Sequence, residues 1–171
     1  MKSLIQLILS IIILTLTFSC HQKTKPDSFL IEIISKTNNY IQKIDSTKTY
    51  RESIAEGTFE IVNTGRKGGF STYCLSDDKT IYRIKYQESI DTSIDYTFYY
   101  KDNNLIYSKL NKKFWSIIDK RVYSKLIFEQ EVYFLEGKVL FSTSNNVKPS
   151  FLYDTGVRHY INAIESFNSY P

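Results

Sequence analysis

The chain has 171 residues, of which 42% are hydrophobic and 23% are charged. This composition is ordinary for a folded protein of one domain and argues against an intrinsically disordered chain. The net charge of +4 is too small, and too widely spread along the sequence, to indicate a nucleic-acid-binding protein. The 14 Tyr and 11 Phe residues favour β structure, because aromatic side chains suit half-buried pleated surfaces.

The first 19 residues have the pattern of a secretory signal peptide. Lys2 supplies a positive charge, and an apolar run from Leu4 to Phe18 follows it. This run is shorter than the roughly 20 apolar residues that a membrane-spanning helix needs. Polar residues follow directly after Cys20, so the pattern indicates a signal peptide rather than a membrane anchor.

The segment that ends at Cys20 resembles the lipobox of bacterial lipoproteins, in which a small residue precedes a cysteine that receives diacylglycerol. Ser19 and Cys20 match that pattern, whereas Thr17 stands where the family has an aliphatic residue. The resemblance implies a signal peptide over 1–19 and lipid on Cys20. From the length and residue pattern of the rest, we expect a lipidated tether over 20–27 and a single globular domain over 28–171. Two alternatives remain, namely ordinary cleavage after Ser19 and retention of the segment uncleaved.

The residue after the cysteine bears on the destination of the protein. His21, rather than Asp, follows Cys20. By resemblance to Gram-negative lipoproteins, this implies an outer-membrane lipoprotein that faces the periplasm. The expected partners are therefore the membrane, through the N-terminal lipid, and an envelope protein of unknown identity; nucleic acid is not expected.

An amphipathic helix is predicted from about Ser28 to Lys43. Asp27 is placed to cap it, because a carboxylate accepts hydrogen bonds from the free N–H groups of a first turn. Apolar residues recur at spacings of three and four and form one stripe, which we expect to pack on a sheet. The stripe consists of Leu30, Ile34, Thr37, Ile41 and Ile44.

From Gly57 onward the apolar period changes to two, which predicts strands. In the strand that starts at Val122, alternation predicts one continuous face through Leu126 and Phe128 to Phe134. Turns are expected at 65–69, 76–79, 102–104 and 136–137. A short helix, with Tyr160, Ile164 and Phe167 on its inner face, follows the last strand. The expected strands cover 58–62, 70–75, 82–86, 94–100, 105–110, 122–134 and 138–142.

The order helix, seven or eight strands, helix, without helical crossovers, predicts an α+β fold. We expect an antiparallel β-meander, curled at most into a half-barrel. The N-terminal amphipathic helix and the short C-terminal helix are expected to pack together on one face of this sheet.

Residues that could act in catalysis or bind a metal are few and scattered, so we expect no catalytic residue, no metal site and no cofactor. His159 has no histidine neighbour in sequence, and Glu129 and Glu131 alternate as on a solvent-facing strand. The glycine-rich stretch from Gly65 to Gly69 lacks the spacing of a phosphate-binding loop and reads as a hairpin turn. Cys74 reads as a small buried residue.

One patch combines basic and aromatic residues, a combination that binds anionic lipids, glycans or single-stranded nucleic acid. We predict a ligand or partner patch of Lys112, Lys113, Phe114, Trp115 and Arg121. The alternative is that Phe114 and Trp115 form a plain core element under a loop. The surrounding cluster also includes Lys109, Lys120 and Lys125.

These features predict a non-enzymatic envelope lipoprotein that acts as a binding or interaction module. Two alternatives are an inhibitor or immunity-type protein directed against a toxin or hydrolase, and a carrier of an apolar ligand inside an aromatic-lined sheet. An enzyme that uses carboxylates alone is the remaining class. A filled core with an exposed aromatic patch would favour the binding module.

Overall fold

The computed structural model describes residues 27–77, 80–90, 92–118 and 121–169, with side chains for all of these except 116–118, 121–122 and 167–169. Helix α1 (Ser28–Ser46) comes first, the strands follow, and helix α2 (Pro149–Ser169) comes last. The strands are β1 (Arg51–Ile61), β2 (Arg66–Ser76), β3 (Ile81–Ser89), β4 (Thr92–Lys101), β5 (Asn104–Ile118), β6 (Arg121–Leu135) and β7 (Lys138–Ser142).

The strands form one seven-stranded sheet in which each strand pairs antiparallel with the next along the chain. The sheet is not closed into a barrel. This arrangement confirms the predicted α+β meander. Two of its hairpins also turn where the sequence indicated, because Asp102 and Asn103, and then Glu136 and Gly137, adopt the positive φ that a tight two-residue turn requires.

Several elements are longer than predicted. Strand β1 begins at Arg51 rather than at 58. The sequence did not indicate its first half, because most of this edge strand is exposed on both faces and shows no alternation of apolar and polar residues. Strand β5 continues to Ile118, through lysines that hide its period. Helix α2 has 21 residues instead of being short. The turn predicted over 65–69 is also wrong, since the chain turns before Arg66, where β2 starts.

Helix α1 covers one face of the sheet. Asp27 caps it through a hydrogen bond that its Oδ1 accepts from the N–H of Phe29, at 3.1 Å. Thr37 and Ile44 are buried on the predicted apolar stripe. The sheet residues beneath this helix are Leu75, Tyr99, Tyr107 and Tyr133.

Helix α2 covers the opposite face, so the expectation that both helices share one face is wrong. The two helices pack on residues of opposite parity, such as Phe98 under α2 and its neighbour Tyr99 under α1. The inner face of α2 includes Leu152, Tyr160 and Ala163, whereas the predicted inner residue Ile164 is exposed and the side chain of Phe167 lies outside the described residues. Each face of the sheet thus has its own core.

Both helices cross the sheet in the same direction. In α1, Asn38 binds Tyr133 of β6, and seven residues later Asp45 binds Arg83 of β3. In α2, Tyr153 contacts β6, and Gly156 lies against β4 and β5. His159 then packs on β3. Both helices therefore begin at the side of the sheet formed by β6 and β7, which we call the β6–β7 edge.

The close approach of α2 to the sheet depends on Gly156. A Cβ at this position would lie 2.7 Å from Cδ2 of Leu105 and 2.9 Å from Cδ1 of Phe98, both of which are buried. Any larger residue must therefore displace the helix or repack the core beneath it.

We expect Gly156→Val to lower the free energy of unfolding by about 2 kcal/mol through overpacking. Urea denaturation followed by circular dichroism measures this change. Asn162→Val introduces the same side chain at an exposed position of α2 and should shift stability by no more than about 0.5 kcal/mol. Equal effects of the two substitutions would show that α2 does not depend on close contact at Gly156.

Candidate functional site

The hairpin of β5 and β6 extends beyond the rest of the sheet. Thr92, the first residue of β4, pairs with Phe114, so β5 pairs only with β6 after that position. On the other side, the β7 pairing ends where Ser142 meets Val132. We call residues 112–118 and 121–128 the ribbon, which comprises this two-stranded end and the adjoining positions 112–114 of β5 that still pair with β4.

Apolar side chains are exposed on both faces of the ribbon. By register, Phe114 and Tyr123 lie on the α2 face, and Trp115 and Leu126 lie on the α1 face. With Ile127, these side chains are between 39% and 50% exposed. The alternative that Phe114 and Trp115 form a buried core element is therefore wrong.

A β-bulge determines which side chains of β6 lie on each face of the ribbon. Lys112 pairs with Phe128, and Lys113 pairs with Leu126, so Ile127 is an extra residue in β6. The bulge changes the parity of β6, and the single continuous face predicted from Val122 to Phe134 does not form. Before the bulge, the α2 face instead carries Tyr123 and Lys125.

The predicted basic patch is divided between the two faces. Lys112 lies on the α2 face of the ribbon, whereas Lys113 lies on the α1 face, with its Nζ 2.8 Å from Oδ2 of Asp95. Arg121 begins β6 and pairs with Ile118, but its side chain, like Lys120, lies outside the described residues. The register thus places the two aromatic residues of the patch on opposite faces of the ribbon, and separates two of its lysines in the same way.

The outer side of β6 is an open strand edge along the ribbon. The N–H and C=O of Glu131 both bind Thr143, so at this point β6 still has a neighbour beyond β5. From Phe128 to Tyr123, no strand in the described part of the chain pairs with that side. A long unpaired edge flanked by apolar side chains is a favourable docking element.

The β6–β7 edge extends this apolar surface. Leu135, Val139 and Phe141 are exposed on β6 and β7. The first turns of α1 and α2 also expose apolar side chains. Since both helices begin at this edge, these side chains belong to the same side of the domain. These helical residues are Phe29, Ile31 and Phe151.

An ionic cluster around the buried Arg83 fixes the end of α1 to the sheet. Arg83 donates to Asp45 and to Glu52, and the hydroxyl of Tyr99 donates to Oδ2 of Asp45 at 2.8 Å. Burial lowers the pKa of Arg83, but its hydrogen bonds and charge interactions with Asp45, Glu52 and Tyr99 together raise it by more, so the guanidinium stays protonated. Burial and the hydrogen bond to Asp45 raise the pKa of Tyr99. The cluster holds fixed charges and is structural.

The other sequence candidates occupy structural positions. His159 packs between Tyr86 and Phe98, at centroid distances of 4.4 and 5.8 Å, and burial lowers its pKa. Glu129 and Glu131 both bind Nζ of Lys109, at 2.8 and 3.2 Å. This partner lies on the neighbouring strand and follows from register, which periodicity alone does not give.

Cys74 is buried as predicted and is a free thiol. Burial raises its pKa to about 11, so almost none of it is thiolate near neutral pH. It lines a cavity of about 400 Å³ between β1, β2 and α2, together with Ser53, Thr72 and Ala163. This thiol is therefore a weak nucleophile.

Within residues 27–77, 80–90, 92–118 and 121–169, no three His, Cys, Asp or Glu side chains converge as metal ligands. No helix in these ranges is both long and apolar enough to cross a membrane.

No protein-family model, curated protein or solved structure matches this chain.

We expect Arg83→Met to lower the free energy of unfolding by about 2 kcal/mol, because it leaves Asp45 and Glu52 without their cation. Urea denaturation measures the change. Lys36→Met, which removes an exposed pair with Glu32 on the same helix, is the matched control and should leave the midpoint unchanged. A similar midpoint for both variants would contradict the role given to the cluster.

Proposed function

We propose that the protein is a non-enzymatic binding module of the cell envelope, tethered through lipid on Cys20, with the ribbon as its binding element. The observation that carries this proposal is the exposure of large apolar side chains on both faces of the ribbon. Exposed apolar groups of this kind, together with lysines, are typical of interaction surfaces.

The ribbon contributes little to either hydrophobic core, which supports the same proposal. The buried residues of both cores lie on other parts of the sheet, and among the described side chains of the ribbon only Phe128 packs against one of these cores. A two-stranded ribbon contributes little stability on its own. Its apolar residues are thus free to contact another molecule.

An inhibitor or immunity-type role is a second candidate, favoured by the narrowness of the ribbon. A projecting element two strands wide fits into the cleft of a hydrolase. The carrier hypothesis has less support, because the aromatic residues that prompted it, such as Tyr96, Phe98 and Tyr100, pack in the core beneath α2. The cavity beside Cys74 is lined by residues of β1, β2 and α2, and these three side chains are not among them.

Lipid attachment at Cys20 would determine the mass of the mature protein. Protein isolated from a bacterial membrane fraction should begin at Cys20 and carry diacylglycerol and acyl chains, and Cys20→Ala should lose both the lipid and the membrane fraction. Intact-mass spectrometry of the two proteins measures this. A wild-type protein that begins at Cys20 without lipid would reject the tether while leaving the binding module to be tested separately.

The ribbon predicts a contact in living cells. A photo-crosslinking amino acid at Leu126 should give a covalent adduct with an envelope component. The same amino acid at Ile161 is the matched control, because both positions are 49% exposed but Ile161 lies on α2. Gel shift and mass spectrometry identify the adduct. Equal yields at the two positions, or none at Leu126, would reject the ribbon as the binding element.

A further inference from the structure

We propose that the β6–β7 edge rests on an anionic lipid bilayer, with the outer side of β6 at the depth of the lipid headgroups. This inference rests on the proposed function and assigns a lipid surface as the occupant of the ribbon. Four features of the described residues point to it: the direction of the helices, the two apolar faces, the distribution of charge and the open strand edge.

The direction of the helices places the start of the domain at the β6–β7 edge. From Asn38 on β6, the first ten residues of α1 extend about 15 Å further toward β7 and beyond it. The chain before Ser28 therefore leaves the domain at this edge. The N-terminus of α2 lies there too, so the positive ends of both helix dipoles face the same side.

The two apolar faces suit a fluid surface. A rigid partner with a flat surface would cover either Phe114 and Tyr123 or Trp115 and Leu126, but not both pairs. Headgroups and the first methylenes of acyl chains move aside and contact both faces of an inserted edge. Trp and Tyr are the side chains that favour this boundary, because each combines an apolar ring with a polar group.

Charge at this edge favours an anionic surface. Lys125, Lys138 and Lys148 are exposed there, and Lys112 lies on the α2 face of the ribbon. The exposed acids near the helix N-termini and the β6–β7 turn include Asp27, Glu136 and Asp154, so the excess of positive charge lies on the ribbon, whose described side chains include no acid. Glu129 and Glu131 are already paired with Lys109. Each lysine held near anionic headgroups adds to the attraction.

The open edge of β6 limits the depth of insertion. Unpaired backbone N–H and C=O groups cannot enter hydrocarbon without a large cost, so the backbone must stay among the headgroups. There, phosphate oxygens and water accept hydrogen bonds from the N–H groups of β6. Leu126 and Ile127, which flank this edge, are the side chains that reach the acyl chains.

Trp115 is the only tryptophan of the chain and reports on this contact directly. The protein, as bacterial cells process it, is reconstituted with vesicles of phosphatidylethanolamine and phosphatidylglycerol, or of phosphatidylcholine alone. We expect Trp115 emission to move to shorter wavelength, and to be quenched by brominated lipid, only with the anionic vesicles. Added salt should reduce the change, because it screens the lysines.

The double substitution Leu126→Ser with Ile127→Ser should abolish the emission change, whereas Ile161→Ser should retain it. Circular dichroism verifies that both variants are folded. Identical Trp115 emission in buffer and in both kinds of vesicle would overturn the inference, as would equal changes in the two kinds. If lipid does not change Trp115 emission while a crosslinker at Leu126 captures one protein, the ribbon binds that protein, and only the lipid inference fails.

Discussion

An open sheet with apolar side chains on both faces must be covered on both, and the rest of the structure depends on this constraint. Each helix supplies one cover. On the α1 side, Arg83 and Tyr99 hold Asp45, which fixes the end of the helix against the sheet. On the α2 side, Gly156 lets the helix backbone approach Phe98 and Leu105. One cover relies on an ionic cluster and the other on close packing.

The two covers also determine what remains exposed. Both helices cross the middle of the sheet from the β6–β7 edge toward β1, and the ribbon extends beyond them. Past Thr92, β5 has only β6 as a neighbour, and β6 has only β5 until β7 begins to pair at Val132. The exposed apolar side chains of the ribbon are thus a consequence of strand lengths that exceed the reach of the covering layers.

Much of the fold is predictable from local chemistry, and the exceptions have physical causes. The capped helix at Asp27 and the turns at Asp102 and Glu136 follow from residue preferences that act within a few positions. The second covered face was not predictable. Its sheet residues include tyrosines, such as Tyr99 and Tyr133, and a tyrosine does not by itself indicate a buried face, because a phenol is partly polar. Here their hydroxyls bind Asp45 and Asn38 of α1 instead.

The candidate site shows the same division between local and long-range information. The aromatic part of the predicted patch, Phe114 and Trp115, is exposed as a binding surface requires. The sequence could not show which lysines are available for binding, because Lys113 pairs with Asp95 on the neighbouring strand. Nothing in the alternation of residues 121–135 signals the bulge at Ile127 either. Its effect becomes visible only when β6 is aligned with β5.

The bulge connects the fold to the proposed role of the ribbon. Without the bulge, Leu126 would lie with Phe128 on the face beneath α2, and Tyr123 would lie on the α1 face with Trp115. With it, Leu126 turns to the α1 side while Tyr123 lies on the α2 side. A bulge also increases the twist of an edge strand and so opposes indiscriminate pairing with other strands. Ile127 therefore determines which apolar side chains of β6 lie on each face of the ribbon and restricts what can dock along the backbone between them.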